Sequence, residues 1–379
     1  MTSVDVAVVG GGVIGLSIAY ELACRGVASA VLDAGPMGRQ ASWAGAGIIA
    51  PGATLPVALP AARLRTLAAA LHPGWSARLR EETGIDNGYR RCGGVDVALT
   101  AAEDGDLRGQ AGRWRIEGIA FERLEPGDVG RVEPTLTADL SSAYYLPDRA
   151  QIRNPRHLRA LVAACEGRGV GLLEGRGATG FVVDGGSITA VETTRGPIAC
   201  GSVVVAAGAW SGPLLGRAGV DLDTRPVRGQ LLLLDAGGSS PSRVLEHRLR
   251  YLVPRGDGLI LVGSTEEDVG FDARTTPEAL DALRAEAIRL CPGLAGARVA
   301  GSWAGLRPGS PDGRPTIGRA PGLANLVVAT GHRRSGLQLS TATASLVADL
   351  LTDTPTPIDL RAFGVEREPR ASGQDVFRS

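Results

Sequence analysis

Short apolar runs alternate along this chain with longer segments in which apolar residues recur three or four positions apart, the periods of strands and helices respectively. Residues 4–9, Val-Asp-Val-Ala-Val-Val, form a strand that runs into Gly10-Gly11-Gly12-Val13-Ile14-Gly15. Ile14, Ile18 and Leu22 then share one helical face, and Arg25-Gly26 stops the helix. A second strand, residues 28–32, ends on Asp33. Leu64, Leu67, Leu71, Trp75 and Leu79 predict a helix over 59–83 with Gly84 beyond its end and Trp75 in the core. Residues 95–99 alternate as a strand. A polar helix follows over 103–115, with Arg113-Trp114-Arg115 on a solvated surface. A strand is expected at 144–146, and Asn154-Pro155 opens a helix that leads through Cys165 to a strand at 172–173. Residues 182–193 read as a hairpin about Gly185-Gly186, and 202–206 as a buried strand ending in Ala207-Gly208-Ala209-Trp210. Strands at 231–234, 251–253 and 259–262 precede a helix from Thr276-Pro277 to Leu290. A strand at 326–329 ends in Thr330-Gly331-His332, and a last helix spans 337–351. The end of the chain is polar, with disorder expected from Ala371.

The first fifty residues give strand, glycine turn, helix, strand and acid in the order that binds a dinucleotide. Gly10 permits the tight turn, Gly12 lets a pyrophosphate approach the backbone, and Gly15 lets the helix pack closely on the strands. Val13 and Ile14 open a helix whose free N–H groups and positive dipole end suit phosphates. Asp33, eighteen residues after Gly15, can accept hydrogen bonds from a ribose. This stretch alone leaves open whether the dinucleotide is FAD or a nicotinamide. After Asp33 and Ala34, residues 35–49 are small, glycine-rich and almost uncharged, which suits backbone lying against a flat ligand or a loop packed on the sheet.

Strand-to-glycine junctions recur near Gly10, Gly208 and Gly331. They predict an α/β fold whose nucleotide domain is assembled from separated segments, 1–55, 148–222 and 308–365. An α+β second domain with an antiparallel sheet is inserted as 56–147 and 223–307, and a polar tail occupies 366–379.

With 379 residues, 44% of them hydrophobic, the chain can bury a large core. Forty basic residues balance forty acidic ones, so charge points neither to nucleic acid nor to an anionic membrane. Five cysteines, Cys24, Cys92, Cys165, Cys200 and Cys291, are far apart and lack Cys-x-x-Cys spacing. This argues against a disulfide framework or a metal site and suits a reducing cytoplasm. The apolar N-terminus lacks a basic leader region, and no window reads as a membrane span.

Six ordered motifs carry a family resemblance: residues 8–15, Ser42-Trp43-Ala44-Gly45-Ala46-Gly47-Ile48, Ala207-Gly208-Ala209-Trp210-Ser211, Tyr251-Leu252-Val253-Pro254-Arg255, Trp303-Ala304-Gly305-Leu306-Arg307-Pro308, and Gly331-His332-Arg333-Arg334-Ser335-Gly336. With them the chain resembles the D-amino-acid-oxidase-like flavoenzymes nearly end to end, and within them the glycine oxidases of thiamine biosynthesis. The resemblance implies a Rossmann-like domain holding non-covalent FAD. Asp33 would hold its ribose, Ala41, Ser42, Ala46, Gly47 and Ile48 would line the flavin, and Ala178, before the hairpin, would touch the adenine end. Gly208 would belong to the same cofactor surface. His332, Arg333, Arg334, Ser335, Gly336, Leu337 and Gln338 would wrap the flavin's pyrimidine edge. Arg307, placed in a Pro- and Gly-flanked turn, would grip the substrate carboxylate. Tyr251 would add a hydroxyl and Arg334 would bridge substrate and flavin. His332 is expected to be structural, since hydride transfer from a neutral amine needs no side-chain base. The implied reaction oxidises an amino acid or amine with O2 and releases H2O2. A D-amino-acid or sarcosine-type oxidase, or a dehydrogenase with another acceptor, is the alternative. A homo-oligomer is familiar among such enzymes. Arg333 and Glu266 depart from the family's pattern and bring charge close to the expected pocket.

Overall fold

The computed structural model describes residues 3–368. Ser3–Val9 lies inside an eight-stranded sheet, flanked in parallel by Ile198–Val205 and Ser29–Leu32. Leu326–Thr330 and Gly171–Leu173 extend the parallel set on the two sides. Thr316–Arg319 closes one edge antiparallel, and the hairpin of Ala178–Asp184 and Ser187–Thr193 joins through Ile198–Val205. The central strands are apolar at nearly every position because both faces are covered. Val6 and Val8 face the helices Val13–Cys24, Pro60–Thr83, Asn154–Gly167 and Gly336–Leu351. Ala7 and Val9 face Leu214, Leu215, Val220 and the hairpin's Ile188 and Val191. The three strands that end near Gly10, Gly208 and Gly331 are thus neighbours, and all three glycine junctions meet at one edge.

A second eight-stranded sheet runs Arg298–Gly309, Arg225–Asp235, Leu259–Gly263, Arg250–Pro254, Val244–His247, Gly94–Ala98, Ser142–Leu146, Glu122–Leu124. It is antiparallel except where Val244–His247 meets Gly94–Ala98. Its two faces have different jobs. Leu232, Leu234, Leu252 and Val262 pack on Leu283, Ala287 and Leu290 of the helix Pro277–Leu290. Leu231, Tyr251, Val253 and Leu261 point the other way, towards Ala44 of the first sheet's loop region. The period of two therefore builds a core on one side and a lid over the first sheet's glycine edge on the other.

Three sequence expectations need correction. Arg307 lies not in a turn but in the twelve-residue strand Arg298–Gly309, opposite Val227. That strand carries small and polar residues rather than an apolar alternation, so its pairing with Arg225–Asp235 was invisible to periodicity. Trp114 is not on a solvated face: it is 2% exposed and packs against Phe121 and Tyr144, with ring centroids 5.5 and 6.2 Å away. The helix Ala101–Glu117 has so few other apolar residues that its single aromatic stripe was hidden between two arginines. Ala178 does not precede the hairpin but is the first residue of its first strand. The polar C-terminal end beyond Glu368, including the disorder expected from Ala371, lies outside the described residues. Within them, Arg367 donates from Nε and Nη2 to Asp312 at 2.9 and 3.0 Å. Among the described residues no helix is long and apolar enough to cross a membrane.

Buried imidazoles tie the helical layer together. The Nε2–H of His72 donates to the Gln338 carbonyl at 2.8 Å, joining Pro60–Thr83 to Gly336–Leu351. His157 Nδ1 lies 3.2 Å from Asn87 Nδ2. Burial disfavours the charged form and pushes the pKa of His72 down to about 4 and those of His157 and His332 to about 3. These three take up protons only on unfolding as pH falls below about 6.5, so each withdraws stability on acidification. His247 has the opposite sign: it is buried, and Glu286 and Glu103 raise its pKa against that burial, so its contribution is lost as pH rises. Denaturant unfolding should therefore show lower stability at pH 5 than at pH 7, and a flat profile would contradict the three-to-one balance. Trp114→Ala should destabilise the fold by about 3–5 kcal/mol, read from the same denaturation curves. A loss below 1 kcal/mol would mean the ring is not part of the core.

Candidate functional site

One cavity of about 560 Å³ runs along the edge where the glycine junctions meet and under the second sheet. Every residue expected at the site lines it except Gly15, which sits beneath the turn. A Cβ at Gly15 would lie 1.9 Å from the Gly10 carbonyl, so its role is the close seating of the helix. Gly10 itself has φ 113° and a Cβ there would stand 2.4 Å from the Ala206 oxygen. Only glycine allows the first and second junctions to touch in this way.

The acid end of the motif is firmly held. Asp33 accepts the Gly11 N–H on Oδ2 and the Gly35 N–H on Oδ1, both at 2.8 Å. Its carboxylate is thereby presented to the cavity with lone pairs left for a ribose. Ser42 Oγ accepts the Val13 N–H at 2.9 Å, so the small-residue run is tied to the start of the helix Val13–Cys24. That run owes its composition to contacts on its far side. Gly47 has φ 75° and no room for a Cβ, which would fall 2.0 Å from the Ile152 carbonyl. Asn154 Nδ2 donates to the Ser42 carbonyl at 2.7 Å, Arg255 Nη2 to that of Ala46 at 2.8 Å, and Trp303 Nε1 to that of Ala44 at 3.2 Å. The loop is pinned from behind while its other surface stays on the cavity.

The opposite end is built by the last junction. The N-terminus of Gly336–Leu351 opens on the cavity through Gly336, Leu337 and Gln338. His332 is 3% exposed and neutral, with Nε2 3.0 Å from Thr343 Oγ1. Its Nδ1 and the Gln338 Nε2 are buried without a hydrogen-bond partner among the described residues. Buried polar atoms are rarely left so, and both belong to side chains that line the cavity. With the Gly10 cradle, the Asp33 carboxylate and the positive end of a helix, they fit an elongated dinucleotide carrying a polar ring system.

Tyr251 and Arg307 come together on the second sheet. Arg307 donates from Nη1 to the Thr265 carbonyl at 3.0 Å and from Nη2 to Ser264 Oγ at 2.6 Å. Both acceptors are neutral. Burial, and then Arg334, lower its pKa, while Tyr251 and Glu266 oppose them. An arginine desolvated without a bonded carboxylate is poised for one from outside. Its place is carved by Gly229, where a Cβ would lie 2.1 Å from Nη2. Gly229 and the buried Gln230 were missed by pattern reading. The usable signal was a lone glycine inside a strand, which marks close approach. Arg334 lines the cavity, donates from Nη2 to the Leu249 carbonyl at 2.9 Å, and has Nη1 3.8 Å from Glu266. Glu266 is not among the lining residues; it sits behind, 3.4 Å from Arg333, so these two charges face each other.

Comparison with known proteins agrees with this geometry. The model of the DAO family, FAD dependent oxidoreductase, matches residues 5–350. A glycine oxidase of Pseudomonas putida is 39% identical over 374 residues, which is 96% of this chain and 99% of that protein. The bifunctional protein ThiO/ThiG of Trichormus variabilis is 35% identical over 98% of this chain and 56% of its own length. The crystal structure of glycine oxidase from Geobacillus kaustophilus superposes with a TM-score of 0.93 at 34% identity, covering 97% of this chain and 100% of that one. With that family model matching residues 5–350 and relatives matching nearly end to end, the chain belongs to the DAO family of FAD-dependent oxidoreductases.

Proposed function

We propose that this protein is a glycine oxidase that supplies thiamine thiazole biosynthesis, turning glycine, O2 and water into glyoxylate, ammonia and H2O2. The observation that carries the reading is Arg307, half-buried beside Tyr251 on the cofactor cavity with only neutral bonded partners. The full-length likeness to glycine oxidases supports the substrate, and the fused ThiO/ThiG relatives support the pathway.

When bound, FAD supplies the hydride acceptor and the route of electrons to O2. Asp33 would hold its ribose, the turn at Gly10 to Gly12 its pyrophosphate, and residues 41–48 with 332–338 its ring. The protein's own residues then do little besides position. Arg307 would turn its remaining N–H groups to a carboxylate and fix the substrate by its acid end. Tyr251, 7% exposed, adds a hydroxyl beside the guanidinium. This sets the Cα–H bond at the ring and converts a two-body encounter into an oriented one. The substrate amine must be neutral at this step, and neutral His332 neither adds charge nor offers a proton. The cofactor is read as non-covalent, as the family resemblance implies. The enzyme is read as cytoplasmic.

The purified protein should be yellow and should release H2O2 with glycine faster than with sarcosine, D-alanine or D-proline. A colourless protein that takes up no FAD would overturn the cofactor assignment. Flavin bleaching under anaerobic conditions without aerobic peroxide would show a dehydrogenase instead. Arg307→Ala should raise KM for glycine by about 10–100-fold while leaving the flavin spectrum unchanged; loss of flavin would make the residue structural. Gly229→Ala, which keeps the arginine but occupies its place, should raise KM in the same direction with flavin retained. An unchanged KM there would mean that the guanidinium does not work from this position.

A further inference from the structure

Away from the flavin cavity, four arginines surround a smaller cleft of about 220 Å³: Arg90, Arg153, Arg156 and Arg255, with Asp86 and Tyr89. All four guanidinium side chains belong to half-buried residues. In a chain of balanced charge this concentration calls for an explanation. Among the described residues only Arg153 is matched by a carboxylate, that of Asp257. Arg90 donates to the Pro254 carbonyl at 2.5 Å. Arg255 donates to Gln151 Oε1 at 3.4 Å and to the carbonyls of Ile152 and Ala46 at 3.2 and 2.8 Å. The Arg156 side chain makes no hydrogen bond or ion pair among the described residues. Asp86 is engaged by the Gly88 N–H at 2.8 Å. Four cations against two carboxylates leave an excess of two positive charges in one half-buried cleft.

The consequence is visible on Arg255. Its pKa is pushed down to about 10 by burial first, and then by the neighbouring Arg153 and Arg90. Like charges held this close repel, and a bound anion would relieve them. The cleft also lies at the start of Asn154–Gly167, with Arg153 at the N-cap position and Arg156 in the first turn, so the helix's positive end adds to the field.

We propose that this cleft is a binding site for a phosphoryl dianion, either inorganic phosphate or the phosphate of a small monoester. Two negative charges match the excess. A tetrahedral group can accept from guanidiniums arriving from a loop, a helix start and a strand end, whereas a planar carboxylate is satisfied by one fork. Arg255 connects the site to the flavin cavity, because the carbonyl it holds belongs to Ala46, which lines that cavity. Anion binding would brace the loop 41–48 from behind.

The test uses the FAD-loaded full chain and inorganic phosphate, with chloride at matched ionic strength as control. Calorimetric titration should show saturable phosphate binding at millimolar concentration or below, with a Tm rise that chloride does not reproduce. Arg156→Ala, which breaks no bond in the free protein, should weaken binding at least tenfold with flavin absorbance intact. Asp257→Asn, which releases Arg153 to the ligand, should tighten it. Titration with glycerol 3-phosphate separates the sources: tighter binding than phosphate identifies a monoester site, weaker binding an inorganic phosphate site. Equal Tm in phosphate and chloride, or unchanged affinity in Arg156→Ala, would overturn the proposal. None of these readouts depends on glycine turnover.

Discussion

The structure depends on backbone approaching backbone where no Cβ stands. At the edge of the first sheet the turn after Ser3–Val9 rests on the end of Ile198–Val205, and Gly10 is the point of contact. Any side chain there would separate the two strand ends and open the cradle. The same constraint recurs at Gly47 against Ile152 and at Gly229 against the Arg307 guanidinium. Each contact shapes a different wall of one cavity. The abundance of glycine in this chain is therefore tied in these places to geometry rather than to looseness.

Electrostatics follows a complementary rule. Most buried arginines here are neutralised internally, as Arg149 is by Asp96 and Glu246. Arg307 and the cleft around Arg255 are exceptions, held by neutral oxygens instead. A guanidinium kept desolvated without a bonded anion is a standing demand for one. At Arg307 the demand suits a substrate carboxylate beside a flavin; around Arg156 it suits a dianion. His72, His157 and His332 behave in the reverse sense, buried and neutral, and serve as rigid hydrogen-bonding parts of the helical layer.

Much of the α/β order could be read from hydrophobic period because the central strands are apolar on both faces and the helices carry one apolar stripe. Residues 4–9, 202–206 and 326–329 announced themselves in this way. The long pair Arg225–Asp235 and Arg298–Gly309 did not. One face of it meets the cofactor cavity and the other a charged network, so Gly229 and Arg307 on the first and Arg228 and Gln230 on the second stand where a core would place aliphatics. Trp114 escaped for a different reason: one aromatic between two arginines carries no periodic signal, and only the strand Ser142–Leu146 beneath it shows where it points.

By itself the sequence determined the dinucleotide cradle, since strand, glycine turn, helix and acid are local in the chain and each residue type has a local physical cause. It also determined which motifs would matter. What only the tertiary structure decided is their meeting. Gly10, Gly208 and Gly331 become neighbours because their strands pair in one sheet, and Tyr251 and Arg307 meet the flavin wall because a second sheet turns its odd face towards it. Charge balance was likewise invisible in a chain of forty against forty. Whether an arginine is matched depends on which carboxylate folding places beside it, and that is a property of distance rather than of order.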